Sequence, residues 1–207
     1  MLHLSRIYPI TDTALSGCTH AELVSEFAAA GASLVQIRDK KASPGEFYRN
    51  AAEAVLTGRR LGVKIIINDR LDIAIATDAD GVHLGQDDIP PEEARRLLGP
   101  DKIIGYSTHS VEQAQRAANL QVDYVAIGPV FVTKTKENPD PIVGIEGIEA
   151  VRKVIGDIPL VAIGGIRPEN ISGVFTAGAD SAAIISALYE KPDSPAQNFD
   201  KLIVNTL

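Results

Sequence analysis

Residues 36–40 read QIRDK, and the alternation of side chains along a strand puts Gln36, Arg38 and Lys40 on one face with Asp39 turned the other way. Farther along, IINDR supplies Asn68 and Asp69, and GQDD supplies Asp87 and Asp88, each directly after an apolar, β-branched run. Neighbouring strands lie about 5 Å apart, so Asp69 and Asp88 from adjacent strand ends can both reach one cation, with Arg38 and Lys40 beside them. Oxygen ligands with no Cys and no paired His suit Mg2+, which shares its shell among one or two carboxylates, waters and substrate phosphates. Arg38, Lys40 and Lys136 are then available for the remaining phosphate charge, which makes a diphosphate site. A second group is chemically different. Thr133 and Thr135 alternate with Lys134 and Lys136 in TKTK, IGGI (163–166) exposes bare backbone, and Ser186 follows in IISAL. Hydroxyls, glycine backbone and the N–H groups of a short helix suit a single phosphate.

These residues need a frame that gathers them. Eight short β-branched runs recur: 6–10, 33–37, 64–68, 80–84, 102–106, 122–127, 159–163 and 180–185. Between them lie segments such as HAELVSEFAAAGA and PGEFYRNAAEAVLTGRRLG, with apolar residues at helical spacing and glycine at several ends; Pro90 and Pro91 suit the first turn of another helix. Strand alternating with helix eight times predicts parallel pairing with right-handed crossovers, and so an α/β fold: a single (β/α)8 TIM barrel over residues 1–207, with an open doubly wound sheet as the competitor. In such a barrel ligands bind at the C-terminal ends of the strands. That is where Arg38, Lys40, Asn68, Asp69, Asp88, Ser107, Thr108, His109, TKTK, Gly164, Gly165 and Ser186 fall. TKTK is expected between two anion sites, its threonines facing the single phosphate and Lys136 the diphosphate.

Taken singly, several of these residues have plainer readings. Asp69 beside Arg70 also suits a surface ion pair or a helix cap. IGGI suits any tight turn. His83 reads as a packed, hydrogen-bonded core histidine rather than a metal ligand, and His109 as either a cap of the following helix or a chemical group. The joint pattern, polar groups after nearly every strand, favours a site.

Composition excludes other classes. Of the 207 residues 45% are hydrophobic and 23% charged, as in an ordinary globular protein, and without Trp the core must be built from aliphatic residues. A net charge of −7 with no basic block argues against nucleic-acid or anionic-membrane partners and leaves small phosphorylated molecules, held locally. Cys18 stands alone, so no intrachain disulfide forms. The N-terminal MLHLSRIYPITD lacks the apolar core of a signal peptide and no stretch has membrane-spanning length, so a cytoplasmic location is expected.

YPITD (8–12), VQIRDK (35–40), IINDR (66–70), GVHLGQDD (81–88), GYSTH (105–109), DYVAIGPVFVTKTK (123–136), VAIGGI (161–166) and AIISAL (183–188) together resemble the thiamine-phosphate synthase family. The resemblance implies a barrel transferase that joins a pyrimidine methyl diphosphate to a thiazole phosphate, releasing pyrophosphate with Mg2+ as cofactor. It assigns Gln36, Ile37, Arg38, Asp39, Lys40, Asn68, Ser107 and Lys136 to the pyrimidine diphosphate, and among these Arg38, Lys40, Ser107 and Lys136 to catalysis. Asp69 and Asp88 fall to the metal; Thr133, Lys134, Thr135, Gly165, Ile185 and Ser186 fall to the thiazole phosphate. The related thiazole tautomerases share the fold and much of the phosphate loop but match less well at the diphosphate and metal positions, which are intact here. A non-catalytic thiazole-phosphate sensor is the alternative of another class, and an unpaired, metal-free Asp69 and Asp88 would favour it.

Overall fold

Each of the eight apolar runs forms one strand in the computed structural model, which describes residues 4–133 and 140–206. The strands are β1 Ile7–Pro9, β2 Leu34–Ile37, β3 Lys64–Asn68, β4 Gly81–Leu84, β5 Ile103–Thr108, β6 Tyr124–Ile127, β7 Leu160–Ile163 and β8 Ser181–Ile184. All pairings are parallel, in the order β1-β8-β7-β6-β5-β4-β3-β2. The seam between β1 and β2 is closed at its upper end by the Ile10–Gln36 bridge and by Thr11 N donating to Gln36 O at 2.9 Å. The result is the expected (β/α)8 barrel rather than an open sheet. β5 extends two residues beyond the predicted 102–106, because Thr108 still pairs with Ile127 and its hydroxyl donates to Ala126 O at 2.8 Å. Ser107 therefore sits on a strand, not a loop.

The helices follow from the segments between. After the short α1 (Thr13–Ser16) come α2 His20–Ala29, α3 Pro44–Leu61, α4 Leu71–Thr77, α5 Pro91–Leu98, α6 Val111–Ala117, α7 Gly144–Ile155, α8 Ile171–Thr176 and α9 Pro195–Val204, with a 3-10 turn at Ser186–Tyr189. Their ends carry local instructions. Thr19 and Glu22 form a reciprocal capping box on α2, Ser43 caps α3 with Pro44 in its first turn, and Gly62 ends α3 at φ 72. No helix among the described residues is long and apolar enough to cross a membrane.

Strand alternation divides the core in two. Ile7, Val35, Ile37, Ile65, Ile67, Val82, Ile104 and Val125 face outward and pack under the helices. Leu4, Tyr8, Leu34, Ile66, Ile103, Tyr124 and Val161 face inward and fill the barrel. At the lower rim, acidic residues preceding three strands accept a backbone N–H from the neighbouring strand: Asp80 from Ile65 at 2.8 Å, Asp123 from Ile104 and Asp180 from Leu160 at 2.7 Å. Arg95 and Arg152 pair with Asp123 and Asp180, so these carboxylates are spent on holding strands together.

Gly105 of β5 faces Tyr124 across the ladder, and a Cβ there would stand 2.0 Å from Tyr124 Cζ. The absence of a side chain makes room for the buried phenol. Gly105→Ala is expected to destabilise the fold by about 1–3 kcal/mol through overpacking. A urea midpoint unchanged from the parent protein would contradict this account of the barrel interior.

Candidate active site

A cleft of about 590 Å3 opens at the C-terminal ends of the strands. Its deepest part is the barrel interior. Gln36 Nε2 donates to Tyr8 Oη at 3.1 Å, Tyr8 Oη lies 3.1 Å from Tyr124 Oη, and Tyr124 Oη lies 2.9 Å from His83 Nδ1. The Tyr8 and Tyr124 rings meet edge to face, with centroids 6.0 Å apart, while His83 stacks on Tyr124 at 5.5 Å. His83 Nε2 reaches Ser107 Oγ at 2.8 Å. Burial pushes His83 down to about 4, against the opposing pull of Asp69, and pushes both phenols up, so imidazole and phenols are neutral at physiological pH. His83 is thus a packed, hydrogen-bonded histidine as expected, and it also lines the cleft.

One wall carries the mixed-sign cluster. Lys40 Nζ lies 2.5 Å from Asp69 Oδ2, and Arg38 Nη1 lies 4.0 Å from Asp12 Oδ2. Asp69 follows β3 at φ 60, a left-handed conformation uncommon outside glycine and best tolerated by Asn and Asp. This turn separates Asp69 from its neighbour: Arg70 pairs with Asp72 instead, at 2.8 and 2.5 Å. Nor does Asp69 cap α4, whose N-cap residue is Arg70 with no side-chain cap bond. The ion-pair and cap readings of Asp69 therefore give way to a cross-strand pair with Lys40. Asp88 Oδ2 accepts from Gly85 N at 2.7 Å. Its carboxyl is raised above its ordinary value, by burial first and by the negative charge of Asp69, although the Gly85 N–H and Lys40 oppose the shift. Among the described residues, two carboxylates thus share a partly buried wall with the Lys40 ammonium group.

Asn68 and Ser107 also line the cleft, whereas two residues of the predicted set turn their side chains elsewhere. Ile37 is fully buried under the helices. Asp39 folds back on its own turn, accepting from Lys41 N and Ala42 N at 2.9 Å, with His20 Nε2 3.7 Å away. Burial alone would raise the Asp39 carboxyl, yet the N–H donors and His20 hold it below its ordinary range. Its visible part is to shape the turn that presents Arg38 and Lys40.

The opposite wall holds Thr133, Gly165, Ile185 and Ser186, which all line the cleft. Gly164 and Gly165 have φ of 102 and 65. A Cβ on Gly164 would meet Pro129 Cα at 2.7 Å, and one on Gly165 would meet Val132 O at 2.5 Å. Both glycines are thus required for the segment leading to Thr133 to lie against the end of β7. Lys134, Thr135 and Lys136 lie outside the described residues. His109 does not cap α6, since Ser110 does; its Nδ1 lies 2.7 Å from Gly128 O and its Nε2 3.5 Å from Asp140 Oδ2.

Tyr8 and Tyr124 are not singled out by residue type and spacing. A tyrosine inside a β-branched run is itself a signal, because a buried phenol hydroxyl needs a partner, but the sequence does not say which.

The thiamine monophosphate synthase family model matches residues 7–188. A curated thiamine-phosphate synthase of Koribacter versatilis is 44% identical over 98% of this chain and 97% of its own, and that of Syntrophomonas wolfei is 47% identical over 90% of both. Among solved structures, the thiamine phosphate pyrophosphorylase of Pyrococcus furiosus superposes with a TM-score of 0.86 at 34% identity, covering 97% of this chain and 95% of that one. With sequence and fold matched over nearly its whole length, the chain belongs to the thiamine monophosphate synthase family and is a transferase of thiamine biosynthesis.

Proposed function

We propose that the cleft condenses 4-amino-2-methyl-5-(diphosphooxymethyl)pyrimidine with thiazole phosphate to give thiamine phosphate and pyrophosphate. The observation that carries the assignment of roles is the division of the cleft: Arg38, Lys40, Asp69 and Asp88 on one wall, Thr133, Gly165 and Ser186 on the other. The first wall suits a diphosphate and the second a single phosphate. The two curated relatives are named synthases, and Asp69 is paired with Lys40, so the tautomerase and sensor readings gain no observation of their own.

The residues fit one Mg2+. The negative charge of Asp69 disfavours that of Asp88, a conflict that a divalent cation relieves, and two carboxylates leave coordination positions for water and substrate phosphate. When bound, the ion neutralises charge on the departing diphosphate. Arg38 and Lys40, with Lys136 from the sequence, take the rest of that charge, and Ser107 adds a hydroxyl donor. The C–O bond between the pyrimidine methylene and the diphosphate breaks first, its electron pair leaving on oxygen; the thiazole nitrogen lone pair then closes the C–N bond. Such a step needs stabilisation of the leaving group more than a general base. Thr133, Ser186 and the Gly165 backbone hold the thiazole phosphate and so aim its ring nitrogen. We take the barrel as one catalytic domain over residues 1–207, working in the cytoplasm on small phosphorylated molecules; a net charge of −7 offers nothing to nucleic acid or an anionic membrane.

Asp88→Asn is expected to lower turnover by roughly two orders of magnitude or more while leaving the unfolding temperature near that of the parent protein. Full activity in excess EDTA would refute the metal assignment. The two walls separate by substrate: Thr133→Ala or Ser186→Ala raises the KM for thiazole phosphate and Arg38→Ala that for the pyrimidine diphosphate. Equal weakening of both substrates by each variant would contradict the partition. Lys136→Ala is expected to lower single-turnover rates by on the order of a hundredfold, with a smaller change in KM. The resemblance places Lys134 with the thiazole phosphate and Lys136 with the departing diphosphate, so Lys134→Ala should cost far less. Equal rates for the two lysine variants would remove Lys136 from the mechanism.

A further inference from the structure

Five side chains from five strands form one unbroken hydrogen-bonded chain across the barrel: Gln36, Tyr8, Tyr124, His83 and Ser107. Its two ends, Gln36 and Ser107, line the cleft together with Tyr8 and His83, and the side chains of both phenols are fully buried. A buried chain of this kind has a direction, set by counting hydrogens. Each phenol has one, and the neutral imidazole has one. Tyr8 accepts from Gln36 Nε2, so its own hydrogen goes to Tyr124. Tyr124 then donates to His83 Nδ1, the ring carries its hydrogen on Nε2, and that hydrogen goes to Ser107 Oγ. The hydrogen left over is that of Ser107, at the cleft. Running the chain backwards would bring both Gln36 and Tyr124 to Tyr8 as donors and leave the hydrogen of this fully buried phenol without an acceptor, which costs the desolvation of a hydroxyl. Only turning the Gln36 amide over avoids that cost, and then Gln36 offers N–H to the cleft and Ser107 a lone pair. The two ends are therefore linked: an acceptor at Gln36 goes with a donor at Ser107, and the reverse with the reverse.

We propose that Tyr8, Tyr124 and His83 are positioning residues that couple recognition of the pyrimidine at Gln36 to recognition of the diphosphate at Ser107. An amine on the pyrimidine, donating to Gln36 Oε1, fixes the direction in which Ser107 must donate to a phosphate oxygen. A ligand presenting an acceptor to Gln36 would turn the amide and withdraw that donor. This rests on the assignment of Gln36 and Ser107 to the pyrimidine diphosphate. It adds that the three residues beneath act as a unit, and that selection for an amine and selection for an anion are one event.

The test is a double-mutant cycle on the full-length protein, with thiamine phosphate formation as the readout and thermal unfolding as the check on folding. Tyr124→Phe keeps the ring and removes the link. It is expected to lower kcat/KM for the pyrimidine diphosphate by about tenfold to a hundredfold, the range for one hydrogen bond to a charged group, with the thiazole-phosphate KM nearly unchanged. In a Ser107→Ala background the same substitution should cost no more than about twofold, because the donor it aims is already gone. Tyr8→Phe should show the same loss of effect in that background, so a fold defect peculiar to one variant does not decide the outcome. Equal fold-losses in both backgrounds would mean that the phenols act through packing alone and would overturn the proposal. Absence of thiamine phosphate from the parent protein would instead overturn the functional reading. A Ser107→Ala variant with undiminished activity would remove Ser107 from the site, and the proposal with it.

Discussion

A hydroxyl or imidazole buried in the middle of a closed eight-stranded barrel must find its hydrogen-bond partners within the barrel. This constraint governs the upper half of the molecule. Below the level of Tyr8 and Tyr124 the interior is an aliphatic plug of Leu4, Leu34, Ile66 and Ile103, where no polar satisfaction is needed. Above it the strands turn Gln36, Asn68, His83 and Ser107 inward, and the phenols are the layer on which these polar groups rest. Gly105 leaves room for Tyr124, and Ala126 and Ala183 are small where the cleft begins. The floor of the cleft is rigid because neither tyrosine can move without leaving a buried hydroxyl unpaired.

The same reasoning separates the two rims, which carry similar residue types to different ends. Asp80, Asp123 and Asp180 accept backbone N–H groups, and two of them also pair with an arginine that bonds neighbouring carbonyls. Their hydrogen-bonding capacity goes to the fold. Among the described residues, Asp88 at the upper rim accepts one backbone N–H and Asp69 meets the Lys40 ammonium group, and burial and the charge of Asp69 raise the Asp88 carboxyl. Capacity is left for a cation and a phosphorylated ligand. The contrast matches the general division of such barrels into a stability face and a chemistry face.

Backbone conformation concentrates at the same rim. Asp69 adopts φ 60, and Gly164 and Gly165 are both left-handed. The turn at Asp69 points its carboxylate at Lys40 on the neighbouring strand end rather than at Arg70 beside it in sequence. The two glycines let the segment carrying Thr133 approach the end of β7. Each departure costs free energy locally, and each brings a polar group into the cleft from a different strand.

The eight runs of β-branched residues determine the strands, and their alternation with amphipathic helices determines the parallel barrel, because periodicity and turn residues are local properties that each segment carries alone. Alternation also separates Gln36, Arg38 and Lys40 from Asp39, so the composition of the mixed-sign wall is legible in QIRDK, IINDR and GQDD. What the sequence does not contain is who meets whom across the barrel. Tyr8 and Tyr124 are 116 residues apart, and Lys40 and Asp69 are 29 apart. Sequence neighbours suggested Arg70 for Asp69, a contact that the left-handed turn removes. The extension of β5 through Ser107 depends on pairing with β6, and the turning of Asp39 depends on Lys41, Ala42 and His20. Residue type and spacing decide which groups point into the barrel; only closure of the sheet decides their partners, because a hydrogen bond between strands is a property of register and distance that no single segment carries.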